Sequence, residues 1–423
     1  MSDKPRTLVS AGRRSARVCR SAAKSVALLG SAGAIVAFSF SSVASAASHN
    51  TADGSASVLA SLPASLRALY VGTPDNIHAS PITGMTLPPK PWKLCFEDSF
   101  EGNAWRIAVR YQMAHLASLF QKTGAVSSFK YSVSDNSPTL ENSQLHAFID
   151  QKCSAIMLTA ESGTADNGTI ADAYAKGIPV IAFNDYVSSP DAQVVDQPFY
   201  IWGQEMAQGI AQRLHGKGTV IMLQGIAGAG VAVEENEGAQ SVWSKNPGLK
   251  IITAYGDWAP STTSSAILQV LATHPGTINA VWTTGSESWY VVEAFLKAGR
   301  PVPYVTDSPA ANTMAIIHAD PKDASLLFGD ATVPVPVADY AFEVTMRTLM
   351  GQGPKISPIM FPLTPWVGTD ITGWYASCMG QGSEAPFPVP PQPPLTVAQM
   401  NAFFVHGTAI APYSYTSTLP SAC

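Results

Sequence analysis

The sequence predicts an α/β protein of two lobes, each built on a doubly wound parallel sheet. From residue 92 onward, short apolar runs alternate with stretches whose apolar residues recur at helical spacing. Such alternation is typical of parallel sheets that carry helices on both faces and right-handed crossovers. The alternation starts again near residue 198 and supplies too many units for one compact sheet.

The first run of elements begins at residue 92. Strands are predicted at residues 92–96, 129–133, 154–159 and 178–183. The helix after the first strand has an apolar stripe at steps of three and four residues, formed by Trp105, Val109, Met113, Leu116 and Phe120. Ser137-Pro138 opens the next helix, because proline is favoured in the first helical turn.

The second run begins with a helix over residues 201–214. Strands are predicted at residues 219–223, 251–255, 280–283, 304–306 and 326–328. A last long helix directs Ala338, Phe342, Thr345 and Leu349 inward. Ligands of such sheets bind at the carboxyl ends of the strands, so the residues that follow each strand are the candidate site.

Both ends of the chain are predicted to lie outside the two lobes. Residues 1–46 have a basic start, an apolar run over 26–38 and Ala44-Ser45-Ala46 at the cleavage point, which predicts a signal peptide for export to the periplasm. An uncleaved anchor is the alternative, although the apolar run is shorter than the roughly 20 residues that span a bilayer. Residues 47–91 are predicted to be an N-terminal leader over the surface, with a short helix at 62–71, and residues 381–423 a proline-rich C-terminal tail, extended over 381–394.

The charge of the chain excludes one class of partner. The signal peptide holds seven of the 25 basic side chains and one of the 30 acidic side chains, so the mature chain has a net charge of −11. Such an acidic chain repels polyphosphates, and nucleic acid is not expected as a partner.

Four cysteines follow the signal peptide, and an even number in an exported chain suggests two disulfides. Cys378 and Cys423 share the tail and form the favoured pair, which leaves Cys95 with Cys153. Two buried free thiols at Cys95 and Cys153 are an equal alternative, because free cysteine is often buried. The spacing fits no zinc motif, and no cofactor or metal is expected.

Polar side chains and tryptophans follow the predicted strands. The set comprises Asn103, Trp105, Asp185, Trp258, Glu287, Asp307, Asn312 and Asp330. Carboxylates and amides hydrogen-bond the hydroxyl groups of sugars, and aromatic rings stack on their C–H faces. Taken singly, each residue is more often a helix cap, a turn residue or part of the core. Together they predict a site for a small polar solute, such as a sugar.

The chain resembles the type I periplasmic binding proteins of the ribose-binding kind over roughly residues 92–375. The resemblance is carried by Gly-Asn-Ala-Trp-Arg (102–106), Gly-Ile-Pro-Val-Ile-Ala-Phe-Asn-Asp (177–185), Gly-Lys-Gly-Thr-Val-Ile-Met-Leu-Gln-Gly (216–225), Gly-Asp-Trp (256–258) and Ala-Gly-Arg-Pro (298–301). It implies an exported, monomeric protein that closes on a sugar-like solute, delivers it to the permease of an ABC transporter and catalyses nothing.

The resemblance also implies boundaries and residue roles. Lobe 1 would comprise residues 92–198 plus 331–360, and lobe 2 residues 199–330 plus 361–380, with hinge segments near 198, 330 and 360. The residues given a role by similarity are Asn103, Trp105 and Asp185 as ligand contacts of lobe 1, Trp258 as a stacking ring, Asp307 as an acidic ligand group and Asp330 at the hinge.

Two departures from the family pattern bear on the ligand. Glu235 stands three residues before Gly238, where the family often has arginine, and it joins the candidate site. Gly285-Ser286 replaces an Asn-Asp pair that often follows the central strand. An acidic residue at 235 would reshape the pocket in favour of an amine or a different pattern of hydroxyl groups.

Other functions fit the sequence less well. The glycine loop at 225–230 lacks the order of a phosphate-binding loop, and a GxSxG elbow is missing, which disfavours an enzyme. Glu97 and Asp98 are neighbours on a strand and point to opposite faces, so they do not form an acid–base pair. A related repressor would carry DNA-binding helices where this chain has a signal peptide. A ligand sensor that reports to a receptor stays open, since the sequence does not separate sensing from uptake.

Overall fold

The computed structural model describes residues 51–72, 77–319, 322–369 and 395–410. The predicted signal peptide, the proline-rich segment 381–394, Cys378 and Cys423 lie outside these ranges. The extended segment and the Cys378–Cys423 pair therefore stay predictions.

The strands form two six-stranded sheets and one separate antiparallel pair, His78–Ala79 with Ile356–Ser357, in the described part of the chain. Their bounds are β1 (His78–Ala79), β2 (Trp92–Asp98), β3 (Val126–Val133), β4 (Ala155–Thr159), β5 (Val180–Phe183), β6 (Gln193–Asp196), β7 (Gly218–Gln224), β8 (Leu249–Tyr255), β9 (Ala280–Trp282), β10 (Tyr304–Thr306), β11 (Leu327–Ala331), β12 (Ile356–Ser357), β13 (Ile359–Met360) and β14 (Thr364–Val367). The strand order is β13-β6-β5-β4-β2-β3 in lobe 1 and β14-β11-β10-β9-β7-β8 in lobe 2. Within both sheets all neighbours are parallel except β11 and β14. The predicted fold class is confirmed.

The helices cover both faces of each sheet. Their bounds are α1 (Thr51–Ser61), α2 (Ala64–Arg67), α3 (Ala104–Lys122), α4 (Pro138–Asp150), α5 (Asn167–Ala175), α6 (Phe199–Arg213), α7 (Gly230–Trp243), α8 (Pro260–Thr273), α9 (Ser288–Lys297), α10 (Ala311–Ala319), α11 (Pro334–Leu349) and α12 (Val397–Ala402). In lobe 1, α3 and α11 pack on one face and α4 and α5 on the other. In lobe 2, α6 and α7 pack opposite α8, α9 and α10. Strands between two such layers are apolar along their whole length, as β4 and β5 are.

Three short segments carry the chain between the lobes. They lie between β6 and α6, between β11 and α11, and between β13 and β14. Hydrogen bonds join them side by side: the Thr332 hydroxyl donates to Gln197 Oε1 (2.5 Å), and Gln197 Nε2 donates to the Pro362 carbonyl (3.2 Å). A hinge of three adjacent chain segments allows the lobes to rotate relative to each other while each lobe keeps its fold.

The N-terminal leader contributes to the core of lobe 1. Leu62, Leu66 and Tyr70 are buried there, and β1 pairs with β12. The Tyr70 hydroxyl donates to the Pro358 carbonyl (2.8 Å) and accepts from the Met360 N–H (3.2 Å). The leader was expected to lie over the surface, and this burial was not predicted. Leu62, Leu66 and Tyr70 share one apolar face, which packs into the lobe 1 core.

The C-terminal segment 395–410 also returns to lobe 1. Phe403 and Phe404 are buried in its core. Beside them the buried Arg347 guanidinium donates to Glu343 Oε1 (2.6 Å) and to Asn401 Oδ1 (2.7 Å). The segment 395–410 therefore belongs to lobe 1, whereas β14, which precedes it in the described part of the chain, belongs to lobe 2.

Cys95 and Cys153 form a disulfide in the lobe 1 core, with their Cα atoms 6.0 Å apart. The bond joins the middle of β2 to the turn before β4. Of the two alternatives for these cysteines, the structure therefore has the bonded pair.

Candidate functional site

A cleft lies between the lobes at the carboxyl ends of the strands. It encloses about 830 Å³, including its open mouth, and both lobes supply its walls. Five of the predicted site residues line it, namely Asn103, Trp105, Glu235, Trp258 and Glu287.

The lobe 1 wall is the first turn of α3. Asn103 caps this helix, since its Oδ1 accepts from the Arg106 N–H (2.9 Å). The same side chain reaches across the cleft, where Nδ2 donates to the Trp258 carbonyl of lobe 2 (3.3 Å). Trp105 Nε1 donates to the Thr332 carbonyl in the hinge (3.2 Å). The cap therefore fixes the helix start and touches the opposite lobe.

Arg106 is a cleft residue that the sequence prediction missed. Its guanidinium is bonded to Asp98 Oδ1 (3.3 Å) and Asp185 Oδ2 (2.8 Å), and all three side chains are buried. Burial raises the pKa of Asp98 to about 6, although Arg106 and the Thr159 hydroxyl lower it. Arg106 could have been predicted from the sequence, because it follows Trp105 directly and lies one helical turn after the cap Asn103.

Asp185 lies behind Arg106 and does not line the cleft. Its side chain is fully buried, and Oδ2 also accepts from Asn184 Nδ2 (3.4 Å). Within the described ranges, no protein group donates to Asp185 Oδ1. Asp185 therefore acts on the cleft through its charge and through the position of Arg106.

Trp258 forms the lobe 2 wall in an unusual backbone conformation. Asp257 and Trp258 both have positive φ, 52° and 49°, which costs free energy for residues other than glycine. The indole ring of Trp258 lies against Gly225 and Gly285, and a Cβ atom at either glycine would overlap the ring. Nε1 donates to the Thr284 hydroxyl (3.2 Å). The strained backbone thus holds a rigid indole toward the cleft.

Glu235 comes from α7 and is 2% exposed. Its Oε2 accepts from the Thr284 hydroxyl (2.7 Å). Burial raises the pKa of Glu235 well above its usual range, and the nearby Asp185 and Glu287 raise it further. Among the described side chains, no Lys, Arg or His lies within ion-pair distance of it.

Glu287 precedes α9 and has protein partners for both carboxylate oxygens. The hydroxyls of Thr263 and Thr283 donate to them. Burial raises the pKa of Glu287 to about 7, and the two hydroxyls lower it. Glu287 therefore differs from Glu235 in that hydroxyl groups satisfy it.

Besides Asp185, three more predicted residues, Asp307, Asn312 and Asp330, lie outside the cleft walls. Asp307 accepts four hydrogen bonds, from the N–H groups of Glu287 and Ser288 (2.9 and 3.1 Å) and the hydroxyls of Ser288 and Thr313 (2.6 and 2.8 Å). It thus anchors the start of α9, and burial raises its pKa to about 7. Asn312 and Asp330 are buried in α10 and β11, and burial also raises the pKa of Asp330 to about 7.

Three more aromatic residues on the lobe 2 side, besides Trp258, were not predicted for the site. Phe199, Trp202 and Tyr290 line the cleft, and Trp202 Nε1 has no acceptor among the residues the structure describes. Phe199 and Trp202 stand in the first turn of α6, directly after the first hinge segment. That position, at the seam between two lobes, was the signal that could have found them.

The lobes touch across the cleft. Besides the Asn103–Trp258 hydrogen bond, α7 begins against the loop after β5: a Cβ on Gly230 would overlap the backbone of Tyr186. The structure is therefore a closed form. In the described ranges, no cluster of three or more His, Cys, Asp or Glu is suited to a metal ion, and no helix has the length and apolar character to cross a membrane.

Two lobes that meet around one cleft define a hinged binding protein. The periplasmic binding protein domain matches residues 99–353, and the chain belongs to this family. The family comprises binding proteins, in agreement with the expectation that the chain is not an enzyme.

Known relatives share the fold at low identity. A curated xylitol-binding protein of Mycolicibacterium smegmatis is 30% identical over 119 residues, which are 28% of this chain and 34% of that protein, so the match spans about a third of its length. An ABC transporter solute-binding protein of Thermobispora bispora has 24% identity and a TM-score of 0.62, covering 68% of this chain and 88% of that one. One from Bacillus halodurans with bound myo-inositol has 16% identity and a TM-score of 0.59, covering 68% and 99%.

Proposed function

We propose that this chain is the solute-binding protein of an ABC transporter and that its lobes close on a sugar or polyol. The observation that carries the proposal is the cleft itself, where hydrogen-bonding groups and aromatic rings of both lobes face one another. Sugars and polyols need this combination, because they present hydroxyl groups at their edges and C–H groups on their faces. Two similar proteins support it, the xylitol-binding protein and the solute-binding protein with bound myo-inositol, because xylitol and myo-inositol are both polyols.

Five of the predicted residues would contact the ligand directly. Trp105 and Trp258 provide rings for stacking from opposite walls, and Asn103, Glu235 and Glu287 provide polar groups. Arg106 joins them as a donor. Asp185 and Asp307 would act indirectly, by holding Arg106 and the start of α9. For Asn312 and Asp330 we propose no ligand contact.

Closure would be driven by contacts that exist only when the lobes meet. A ligand held by Trp105 of lobe 1 and Trp258 of lobe 2 makes both sets of contacts only in the closed form, so it shifts the equilibrium toward closure. The closed surface would then dock on the permease. Export by the segment 1–46, cleavage after it and a monomeric state belong to the same proposal.

A thermal-shift screen of pentoses, hexoses and polyols tests the function. A ligand at about 100 times its dissociation constant stabilises the fold by about 2.7 kcal/mol. Trp258→Ala should weaken binding of any hit by about 1 kcal/mol or more, because a stacking ring is lost. Exposed Tyr255→Ala, three residues earlier, is the matched control and should bind as the unchanged chain does. Chemical turnover of the hit, or no binding across the screen, would overturn the proposal.

A further inference from the structure

We propose that the ligand carries a protonated amine beside its hydroxyl groups, and that the amine binds against Glu235. This inference rests on the proposed function and narrows the class of solute, from neutral sugars and polyols to amino sugars or amino polyols. Three features of the cleft lead to it: its balance of charges, its aromatic walls and one unsatisfied donor.

The charges in and behind the cleft do not balance. Carboxyl groups stand at Asp98, Asp185, Glu235 and Glu287, and Arg106 is the one cationic residue among those that line the cleft. Arg106 is already bonded to both Asp98 and Asp185 of its own lobe. A positive group from the ligand is therefore the missing partner on the lobe 2 side.

Glu235 is the cleft carboxyl group that has neither a cation nor a second hydrogen-bond donor among the described residues. Thr263 and Thr283 donate to the two oxygens of Glu287, whereas Glu235 accepts one hydrogen bond, from Thr284. A buried carboxylate is costly unless a cation and hydrogen bonds compensate it. An ammonium group supplies both, because it has a positive charge and three N–H donors.

The walls around Glu235 also favour a cation. Five aromatic residues line the cleft, namely Trp105, Phe199, Trp202, Trp258 and Tyr290. Faces of aromatic rings attract cations, and tryptophan does so most strongly. The faces of these rings do not stabilise a second negative charge beside that of Glu235. We therefore do not expect sugar acids or sugar phosphates as ligands of the cleft.

A hydroxyl group of the ligand accounts for the remaining feature. Trp202 is 1% exposed, lines the cleft, and its Nε1 has no acceptor among the described residues. An indole N–H can only donate, so it needs an oxygen of the ligand. A ligand that fits this cleft therefore has a hydrogen-bond acceptor opposite Trp202 Nε1 and a positively charged donor opposite Glu235. An amino polyol or amino sugar has both groups in one molecule.

Matched pairs of ligands test the proposal by calorimetric titration of the purified exported chain at pH 7. The pairs are xylitol with 1-amino-1-deoxyxylitol, D-sorbitol with 1-amino-1-deoxy-D-sorbitol, and D-glucose with D-glucosamine. In at least one pair the amine should bind at least about tenfold more tightly than its neutral partner. Glu235→Gln should lower that ratio to within about threefold, because the amide keeps the bond from Thr284 and loses the charge. Glu237→Gln, an exposed site on the same helix, should leave the ratio unchanged.

The possible outcomes separate this inference from the proposed function. If neutral members bind as tightly as the amines, Glu235 acts as a neutral acid toward a hydroxyl group; the amine inference fails and the proposed function stands. If no member of any pair binds, the amine inference fails, and the thermal-shift screen of pentoses, hexoses and polyols decides the proposed function separately. Should Glu235→Gln not fold, the comparison of paired ligands on the unchanged chain still decides.

Discussion

The two lobes have matching sheets, yet the chain assembles them in different ways. Each lobe takes five of its six strands from one continuous stretch, β2 to β6 in lobe 1 and β7 to β11 in lobe 2, and adds one later strand, β13 or β14. The core of lobe 1 also includes the leader, α11 and the segment 395–410. It further holds the Cys95–Cys153 disulfide and the buried Arg347–Glu343 pair. Lobe 1 is thus bound together by parts of the chain that are distant in sequence.

The two walls of the cleft also differ, in how far their charged groups are paired within the protein. The cation of the lobe 1 wall, Arg106, is paired with two carboxylates of its own lobe, so that wall is complete without a ligand. The lobe 2 wall leaves Glu235 without a cation and holds Trp258 in a strained conformation. On the proposed function, lobe 1 would supply a stable platform, whereas lobe 2 would carry the groups that select the ligand.

The largest expected effect is on the free energy of unfolding of lobe 1. Arg347→Ala leaves Glu343 buried without its cation and removes the bond to Asn401, so the free energy of unfolding should fall by about 3–5 kcal/mol. Urea denaturation followed by tryptophan fluorescence measures it. Lys297→Ala removes the exposed pair with Glu293 on lobe 2 and should cost less than about 0.5 kcal/mol. Equal losses for the two variants would contradict the comparison.

A second prediction concerns the contact between the lobes. Gly230→Val places a side chain where the backbone of Tyr186 stands in the closed form, so closure should be hindered while each lobe stays folded. Ligand affinity should fall by at least about tenfold, since the binding-competent form becomes rare. Titration calorimetry measures the affinity, and small-angle scattering should show a larger radius of gyration with ligand present. Gly168→Val, on an exposed turn of α5 with open space around it, is the control.

A third prediction is a pH dependence of the stability of lobe 1. Burial raises the pKa of Glu97 to about 8; the Ser132 hydroxyl on β3 lowers it, and Asp98 on β2 and Asp166 before α5 raise it, with Glu141 of α4 also nearby. The folded chain therefore holds a proton that the unfolded chain releases above the ordinary glutamate pKa of 4.5. The stability from this proton is fully present below that pH and is lost as pH rises through about 8.

Glu97→Gln should flatten this dependence, because the amide oxygen still accepts from Ser132 and nothing titrates. The melting temperature of the unchanged chain should fall more steeply than that of the variant between about pH 5 and pH 8. Differential scanning calorimetry measures both curves. Parallel curves would show that Glu97 does not carry the effect.

The sequence predicted the sheets and much of the cleft because both follow from local patterns. Apolar runs and helical stripes located the strands and helices, and the carboxyl ends of the strands located Asn103 and Trp258, which the structure joins by a hydrogen bond. The leader was placed outside the core, because its burial depends on Pro358 and Met360, nearly 300 residues away. Asp307 looked available for a ligand, since the hydroxyls that surround it come from α9 and α10 and no spacing announces them.

The return of the chain to lobe 1 has a consequence for synthesis and export. The core of lobe 1 includes Phe342 of α11 and Phe403 and Phe404 beyond α12, which leave the ribosome last. Until then α3 covers one face of the lobe 1 sheet without α11, whereas the strands β7 to β11 of lobe 2 are already complete. Lobe 1 thus stays incompletely folded for most of translation, which would favour the threading through a membrane pore that the proposed export requires.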